Sequence, residues 1–344
     1  MLHYTSQLAN AMAERADVTQ FVVSGADSKV FSDRVDLREL PLPVEVSELG
    51  PSTVSGLRTV YRRLKRVESD VVHVTSGQEL IPFVLPAVRD RPFVYTSHDI
   101  YYHSGEFSLR GSVVQQLLVR YADRVVVHGE YNVEQFARKF GSAEKAFEIT
   151  HGDYGMFDSY CDDPTTYEPE LLFFGRIAPY KGLDVLLEAE RLLADRVDDF
   201  RIVVAGEGEL DEFCRERIAE SDHVRLLNEY VADETVCELF SRCRAVVLPY
   251  RDASQSGVLP IAYSFEKPVV ATDVGTNPEL VAHEETGLLV DPENPRQLAA
   301  ACERLLTDRE WARELGAVAH RFGEREMSWD DTAGRLLGMY DSLR

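Results

Sequence analysis

The sequence predicts an α/β protein with two domains, each built on a parallel β-sheet covered by helices. The chain has 344 residues, which exceeds one typical core and suits two domains of roughly 150 residues each. Short β-branched runs alternate with longer amphipathic segments, and this alternation is typical of parallel α/β architecture. The runs are apolar on both sides, as expected for central strands with helices on both faces of the sheet.

The first half of the chain begins with helical sequence. Its predicted strands are Gln20–Ser24, Val71–Val74, Phe93–Thr96, Arg124–Val127 and Ala146–Thr150. Its predicted helices are Thr5–Glu14, Val54–Val67, Val113–Tyr121 and Glu130–Phe140. A domain of this kind normally opens with a strand and a glycine-rich turn, so we expect the chain to begin inside the domain.

The second half repeats the alternation after a polar segment, Asp158–Pro169, which predicts an interdomain linker. The predicted strands are Glu170–Phe174, Phe200–Ala205, Val224–Leu227, Ala245–Leu248, Pro268–Ala271 and Gly287–Val290. The predicted helices are Gly182–Leu193, Glu209–Glu220, Asp233–Cys243, Val258–Ser264, Pro278–Ala282, Pro295–Thr307 and a closing helix, Trp329–Leu343. We therefore expect domains at 1–160 and 170–325, with the helix of 326–344 packing back on the first.

The charge balance is strongly acidic and excludes one class of function. A net charge of −22 repels phosphate backbones, so nucleic-acid binding is not expected. An acidic surface whose positive charges are nearly all arginine favours adaptation to a high-salt cytoplasm, and an ordinary acidic protein is the alternative. The few lysines are Lys29, Lys65, Lys139, Lys145, Lys181 and Lys267.

The cysteines and the apolar segments predict a cytoplasmic protein. The five cysteines are odd in number and form no Cys-x-x-Cys pair, which argues against a disulfide framework and a zinc knuckle. No segment reaches the roughly 20 apolar residues of a membrane-spanning helix, and Met1–Thr5 shows no secretory signal. The helix of residues 54–67 is basic and amphipathic, which predicts either a peripheral contact with the inner membrane face or, more simply, core packing with solvated arginines.

Three strand ends carry polar residues that suit a phosphate ligand. A buried strand ends at Gly175, and Arg176 and Lys181 follow before the next helix. In an open parallel sheet, ligands bind at the carboxyl ends of the strands. Two cations at this position complement a diphosphate. We favour this interpretation over the alternative of two solvated loop charges. A second strand leads into the turn 249–257. This turn either binds an anion at the N-terminus of the following helix, or its serines only cap that helix. A third strand leads into the turn that ends at Glu279.

An ordered set of further motifs resembles glycosyltransferase family 4, retaining transferases with two Rossmann-like domains facing each other across a cleft (the GT-B fold). These motifs span nearly the whole chain at His3–Thr5, Leu8–Asn10, Val72–Val74, Thr96–Asp99, Val127–Gly129, His151–Asp153, Ala205–Gly208 and Glu284–Val290. The resemblance implies that residues 1–160 face the acceptor and residues 170–325 bind a UDP- or GDP-linked sugar. The acceptor, whether glycan, lipid-linked or small molecule, is not specified by the sequence.

The resemblance also assigns residues. It implies that Arg176, Lys181 and His98 are the catalytic residues: the two cations hold the diphosphate, and His98 lies near the transferred sugar. It also implies that the amides of Ser256, Gly257 and Val258 hold the diphosphate and that Glu279 faces the donor. The turns after the strands add further donor-binding candidates: Gly175, Gly206, Ser254 and Gln255. In such retaining enzymes the acceptor attacks on the face that the phosphate leaves, and neither a metal nor another cofactor is expected.

The sequence departs from the family at its two-glutamate signature, which falls on Ala253 and Ile261. Recognition of the ribose and the sugar is therefore open, with Asp252 and Gln255 as candidates. This departure favours the alternative of a non-catalytic partner or scaffold subunit, and an epimerase or a phosphorylase on the same fold is a further alternative. His98, Asp99 and His103 lack the additional ligand that a metal site needs, and His73, His128 and His151 are expected to be packed histidines.

Overall fold

The computed structural model describes residues 2–23, 25, 27–40, 51–76, 80–103, 108–161 and 166–344. Its strands are β1 (Thr19–Val23), β2 (Asp36–Leu40), β3 (Val72–Val74), β4 (Phe93–Thr96), β5 (Arg124–His128), β6 (Ala146–Ile149), β7 (Glu170–Phe174), β8 (Arg201–Ala205), β9 (Val224–Leu227), β10 (Ala245–Leu248), β11 (Val269–Thr272) and β12 (Gly287–Val290). Its helices are α1 (Leu2–Ala13), α2 (Pro51–Arg66), α3 (Leu109–Tyr121), α4 (Glu130–Phe140), α5 (Leu183–Ala194), α6 (Glu212–Glu220), α7 (Asp233–Arg242), α8 (Val258–Ser264), α9 (Asn277–Leu280), α10 (Pro295–Thr307), α11 (Arg309–Glu326) and α12 (Trp329–Asp341).

The strands form parallel sheets, which confirms the predicted α/β class. The first unit holds a four-stranded sheet in the order β3-β4-β5-β6 and a separate pair, β1-β2. Helix α12 packs against α1 in this unit, where Trp329, Leu336 and Tyr340 join Tyr4 and Leu8 in one buried cluster. The pairing buries the apolar faces of two helices from opposite ends of the chain.

The second unit holds a six-stranded parallel sheet in the order β12-β11-β10-β7-β8-β9. From β7 the chain builds outward through β8 and β9, and it then returns to place β10 on the other side of β7. The direction of strand addition therefore reverses between β7 and β10. In open α/β sheets this reversal opens a crevice at the carboxyl ends of the two strands.

The two units are not continuous in sequence. The first comprises Met1–Ile100, Ser108–Gly152 and Ser328–Arg344, and the second comprises Tyr101–Phe107 and Asp153–Met327. The chain thus enters the second unit ahead of the predicted linker, because Phe157 is buried in the core of the second unit. Residue Ser24 of the first predicted strand and residues 162–165 of the predicted linker lie outside the described residues.

Two elements were missing from the sequence-based prediction. Helix α11 buries mainly small residues, among them Ala312, Gly316 and Ala319, so its buried face gives only a weak apolar period. Strand β2 is short and mostly exposed, and its sequence has no run of β-branched residues. In the described part of the chain, no helix combines the length and apolarity required to cross a bilayer.

The prediction that the cysteines form no disulfide is wrong for one pair. Cys161 and Cys237 are joined by a disulfide that links the segment after residue 160 to α7. The two residues are 76 positions apart, so their spacing gives no local signal of the pairing. Cys214, Cys243 and Cys302 are free and buried, and burial raises the pKa of each thiol to about 12.

Loss of the disulfide should lower the free energy of unfolding by about 2–5 kcal/mol, because the crosslink restricts the unfolded chain. The measurement is urea unfolding of the wild type with and without reductant. The double variant Cys161→Ser, Cys237→Ser is the control, since its stability should not respond to reductant. A wild type that is equally stable in both conditions would contradict the pairing.

Candidate functional site

The candidate site lies at the carboxyl edge of the six-stranded sheet. Strands β7 and β10 are hydrogen-bonded neighbours, with Leu171 opposite Ala245. Because the two strands are parallel, the loops that follow them leave the sheet at the same edge. The residues of 175–182 and 249–257, which the sequence singled out separately, therefore lie beside one another.

These two loops are bound tightly to each other. Gly182 has a φ of 69°, and a Cβ added there would lie 2.0 Å from the carbonyl oxygen of Pro249, so only glycine fits. The backbone N–H of Arg251 donates to the carbonyl oxygen of Tyr180 at 2.8 Å. The guanidinium of Arg251 also donates to the carbonyl oxygen of Pro179 and to the carboxylate of Asp184. The two loops therefore form one connected surface.

A second close contact involves the loop after β8. The N–H of Gly175 donates to the carbonyl oxygen of Ala205 at 2.9 Å. A Cβ on Gly206, whose φ is 147°, would lie 2.0 Å from the carbonyl oxygen of Gly175. The structure thus brings the predicted residues Gly175 and Gly206 together and explains why glycine occupies position 206.

The two predicted cations converge on one tyrosine. Nη2 of the exposed Arg176 donates to the hydroxyl of Tyr180 at 3.3 Å. Nζ of the half-buried Lys181 lies 3.9 Å from the ring centroid of Tyr250 and 5.5 Å from that of Tyr180. Lys181, which lies over aromatic faces, keeps its charge while losing part of its hydration. This pair can therefore bind an anion such as a diphosphate at the sheet edge.

In the turn after β10, a backbone amide that the sequence suggested for anion binding already has a hydrogen-bond partner. Helix α8 begins at Val258, and the N–H of Val258 donates to Ser256 Oγ at 3.3 Å. Gly257 occupies the N-cap position without a side-chain cap, so neither serine caps this helix, but the amide of Val258 already has a partner in Ser256 Oγ. Ser254 is buried, Gly257 lies just before the helix, and the buried Oε1 of Gln255 has no partner among the described residues.

The positions of the family's two glutamates carry apolar side chains in the protein core. Ala253 is 2% exposed and Ile261 is 7% exposed, so neither can contact a ligand through a polar atom. Glu279 is exposed in the first turn of α9, after β11. Asp252 is half-exposed, and its Oδ2 lies 3.2 Å from Nδ1 of His103.

His98 belongs to the first unit, just after β4. Its Nε2–H donates to the carbonyl oxygen of Thr75 at 2.9 Å, and its ring meets that of Tyr4 edge-on at 4.7 Å between centroids. Burial in this surrounding lowers the pKa of His98 to about 4. His98 is therefore uncharged at neutral pH, and Nδ1, the nitrogen without a proton, is left as an acceptor.

The other histidines of the first unit are packed, as expected. His128 and His151 surround the Tyr4 ring with His98, at centroid distances of 5.2–5.3 Å. His73 lies between Thr96 Oγ1 and the hydroxyl of Tyr340. Burial lowers the pKa of His151 to about 4 and that of His73 to about 3, and it lowers the pKa of His128 as well. No group of three or more potential metal ligands occurs within the described ranges.

Sequence reasoning missed the contribution of His103 and Tyr180. His103 was weighed only as a metal ligand, whereas its ring stacks on Tyr180 with centroids 4.1 Å apart. The contact of His103 with Asp252 spans 149 residues of sequence. No local pattern could have revealed it, because the segment that carries His103 leaves the unit of its sequence neighbours.

Comparison with known proteins agrees with this architecture. Residues 168–308 match the family described as "Glycosyl transferases group 1", and residues 1–150 match the "Glycosyl transferase 4-like domain". An uncharacterized glycosyltransferase of Methanocaldococcus jannaschii is 28% identical over 79% of this chain and 74% of its own length. A GDP-mannose-dependent alpha-(1-6)-phosphatidylinositol monomannoside mannosyltransferase of Mycobacterium tuberculosis is 27% identical over 62% of this chain and 60% of its own length.

A solved structure shows the same fold. Anabaena HepE in complex with UDP and glucose superposes with a TM-score of 0.75 at 20% identity, covering 99% of this chain and 96% of its own. The sucrose-phosphate synthase of Thermosynechococcus elongatus superposes equally well, with a TM-score of 0.75 at 21% identity, covering 99% of this chain and 92% of its own. The predicted arrangement of two Rossmann-like units is therefore confirmed at the level of the fold.

The buried histidines should make the protein less stable in mild acid. In the unfolded chain a histidine has a pKa of about 6.5, whereas the folded values for His73, His98 and His151 are about 3 to 4. Below about pH 6.5 the unfolded chain binds more protons, so stability falls as the pH falls toward the folded pKa. Each such imidazole adds a slope of up to about 1.4 kcal/mol per pH unit.

The variant His128→Leu removes another buried imidazole of the first unit, since His128 is 2% exposed. Urea unfolding from about pH 7.5 to about pH 5 should show a smaller loss of stability in the variant than in the wild type, because one proton-binding group has been removed from the unfolded chain. Equal slopes in the two proteins would contradict the assignment of His128 as a neutral buried histidine.

Proposed function

The chain belongs to the glycosyl transferases of group 1, the family-4-like branch of the retaining GT-B enzymes, and on that premise we propose that Arg176 and Lys181 hold the diphosphate of its nucleotide-sugar donor. The protein is a nucleotide-sugar-dependent hexosyltransferase. The convergence of the two cations on Tyr180, at the point where strand order reverses, is the observation that carries the proposal. Ligands of open parallel sheets bind at such points.

The cations have a role in the chemical step as well as in binding. Cleavage of the donor leaves negative charge on the diphosphate, and groups already aimed at that charge stabilise the transition state. Arg176 donates to the Tyr180 hydroxyl and Lys181 lies over the Tyr250 ring, so we propose that these contacts limit the reorganisation needed when the donor binds. We propose that this charge stabilisation, without a metal ion or another cofactor, drives departure of the nucleotide.

Recognition of the ribose and the sugar is proposed to use other groups than the family's glutamates. Gln255 offers a buried amide oxygen without a partner among the described residues, and Asp252 offers a half-exposed carboxylate in the same turn. Either oxygen accepts a hydrogen bond from a hydroxyl. Ser254, Gly257 and Glu279 belong to the same set of proposed donor contacts. The role of His98 toward the sugar stays a prediction.

The donor is proposed to be a UDP- or GDP-linked hexose. One relative is named for its dependence on GDP-mannose, and the structural neighbour HepE is complexed with UDP and glucose. Both nucleotides present the same diphosphate to the two cations, so the site geometry does not choose between them. Screening both donor classes by mass spectrometry identifies the nucleotide and the sugar directly.

Removal of the cations should abolish most of the transfer. We expect Arg176→Ala and Lys181→Ala each to lower kcat/KM about 10-fold to 150-fold, the value of one charge-assisted hydrogen bond, and the double variant to fall further. The matched control is Arg191→Ala with Arg215→Ala, two exposed arginines on the outer helices α5 and α6. Transfer that survives in the double cation variant would refute the proposal, and nucleotide binding without transfer in the wild type would favour the scaffold alternative.

The first unit carries a candidate membrane face. Helix α2 contains five basic and no acidic residues, and Arg58, Arg62 and Arg66 are exposed. Helix α3 contains two arginines and no acidic residue, and its Leu109 and Val113 are 70% and 49% exposed. The net charge of the whole chain is −22, so the positive charge of these two helices contrasts with the acidic remainder of the protein. Helices that carry exposed basic and apolar side chains suit an anionic bilayer.

We therefore propose that the enzyme works in the cytoplasm and contacts the inner membrane face peripherally, where a lipid-linked acceptor is within reach. The lipid-linked substrate in the name of the mycobacterial relative supports this proposal. Adaptation of the acidic surface to high salt remains a separate prediction.

Vesicle binding tests the membrane face. The wild type should cosediment with vesicles that contain phosphatidylglycerol and not with purely zwitterionic vesicles, because each basic side chain near an anionic surface contributes about 1 kcal/mol. Arg58→Gln with Arg62→Gln should weaken the binding about 10-fold or more. The control is Arg191→Gln with Arg215→Gln in the second unit. Equal partitioning of the wild type into both kinds of vesicle would exclude the electrostatic contact.

A further inference from the structure

A buried histidine from a distant part of the chain contacts both loops of the candidate site, 175–182 and 249–257. His103 is 8% exposed and belongs to the second unit, although the chain up to Ile100 belongs to the first. Its Nδ1 lies 3.2 Å from Oδ2 of Asp252. Its ring stacks on Tyr180 with an interplanar angle of 12°.

Each contact of His103 falls on a different loop of the site. Tyr180 directly precedes Lys181, and its hydroxyl accepts the hydrogen bond from Arg176. Asp252 directly follows Arg251, whose backbone and side chain tie the loop after β10 to the loop after β7. His103 is therefore in contact with the side chain that supports Arg176 and with the turn that leads into α8.

The two contacts require different properties of the side chain. Stacking on Tyr180 requires a flat ring, and the contact with Asp252 requires a polar atom at the ring edge. Phenylalanine retains only the stacking and glutamine retains only the polar group, whereas histidine supplies both. The stacked rings of His103 and Tyr180 are both buried, so little solvent competes with this contact, whereas the Asp252 carboxylate is half-exposed.

We propose that His103 is a positioning residue for the donor diphosphate, which fixes Tyr180 and Asp252 so that Arg176 and Lys181 are aligned before the donor binds. The proposal rests on the proposed function of the two cations. A ligand binds more tightly to a site that is already ordered, because less conformational freedom is lost on binding. The effect of His103 therefore falls on donor affinity.

Two substitutions separate the contacts, and one histidine serves as a matched control. His103→Phe keeps the stacking and loses the contact with Asp252, and His103→Gln does the reverse. His223→Phe is the control, since His223 also stacks on an aromatic ring of the same unit, Phe200, with centroids 4.3 Å apart and an angle of 7°. His223 lies just before β9, at the opposite edge of the sheet from the candidate site.

The measurements are calorimetric titration with UDP and GDP, steady-state kinetics with the donor, and the melting temperature of each full-length variant. We expect His103→Phe and His103→Gln each to weaken nucleotide binding and to raise the donor KM about 3-fold to 30-fold, the range of couplings within one contact network. The kcat should stay within about 2-fold of the wild type. His223→Phe should bind nucleotide like the wild type.

A double-mutant cycle with Asp252→Ala tests the contact itself. If His103 acts through Asp252, the combination His103→Phe with Asp252→Ala should bind nucleotide no more weakly than the worse single variant. Two results would overturn the proposal. One is that the losses of nucleotide affinity in the double variant are strictly additive. The other is that nucleotide affinity falls together with the melting temperature in the His223→Phe control as well as in the His103 variants. A wild type that binds neither nucleotide refutes the proposed function too, whereas wild-type affinity in both His103 variants refutes only the positioning role.

Discussion

The contact between the loop after β7 and the loop after β10 determines the shape of the candidate site. Gly182 lies so close to the carbonyl oxygen of Pro249 that no side chain fits, and Arg251 adds hydrogen bonds from its backbone and its guanidinium. This contact exists because β7 and β10 are adjacent although 70 residues of chain separate the end of β7 from the start of β10. Everything proposed for Arg176 and Lys181 depends on that adjacency.

The same contact places a tyrosine of each loop beside the two cations. Tyr180 and Tyr250 offer ring faces and a hydroxyl, which attract cations without neutralising them. Positive charge of this kind suits a diphosphate. His103 adds a contact from outside the two loops, and the uncharged His98 of the other unit contrasts with this cationic surface. The proposed diphosphate chemistry is thus concentrated at one sheet edge of the second unit.

Much of this could be predicted from the sequence because local patterns encode it. Apolar runs predicted most of the strands, and the spacing of Arg176 and Lys181 after a strand indicated the candidate cation site. Contacts between distant residues could not be predicted, since nothing near Cys161 announces Cys237 and nothing near His103 announces Asp252. Helix α11 was missed for another reason, because small residues bury a helix face without a strong apolar period.

Hydrogen–deuterium exchange with and without nucleotide tests the central claim most directly. If the carboxyl edge of the second sheet holds the donor diphosphate, UDP or GDP should slow amide exchange in residues 175–182 and 249–257, because binding orders the loops and excludes water. Residues 221–223, which precede β9 at the amino edge of the same sheet, should exchange unchanged. Protection confined to other segments, with no change in the two loops, would contradict the account.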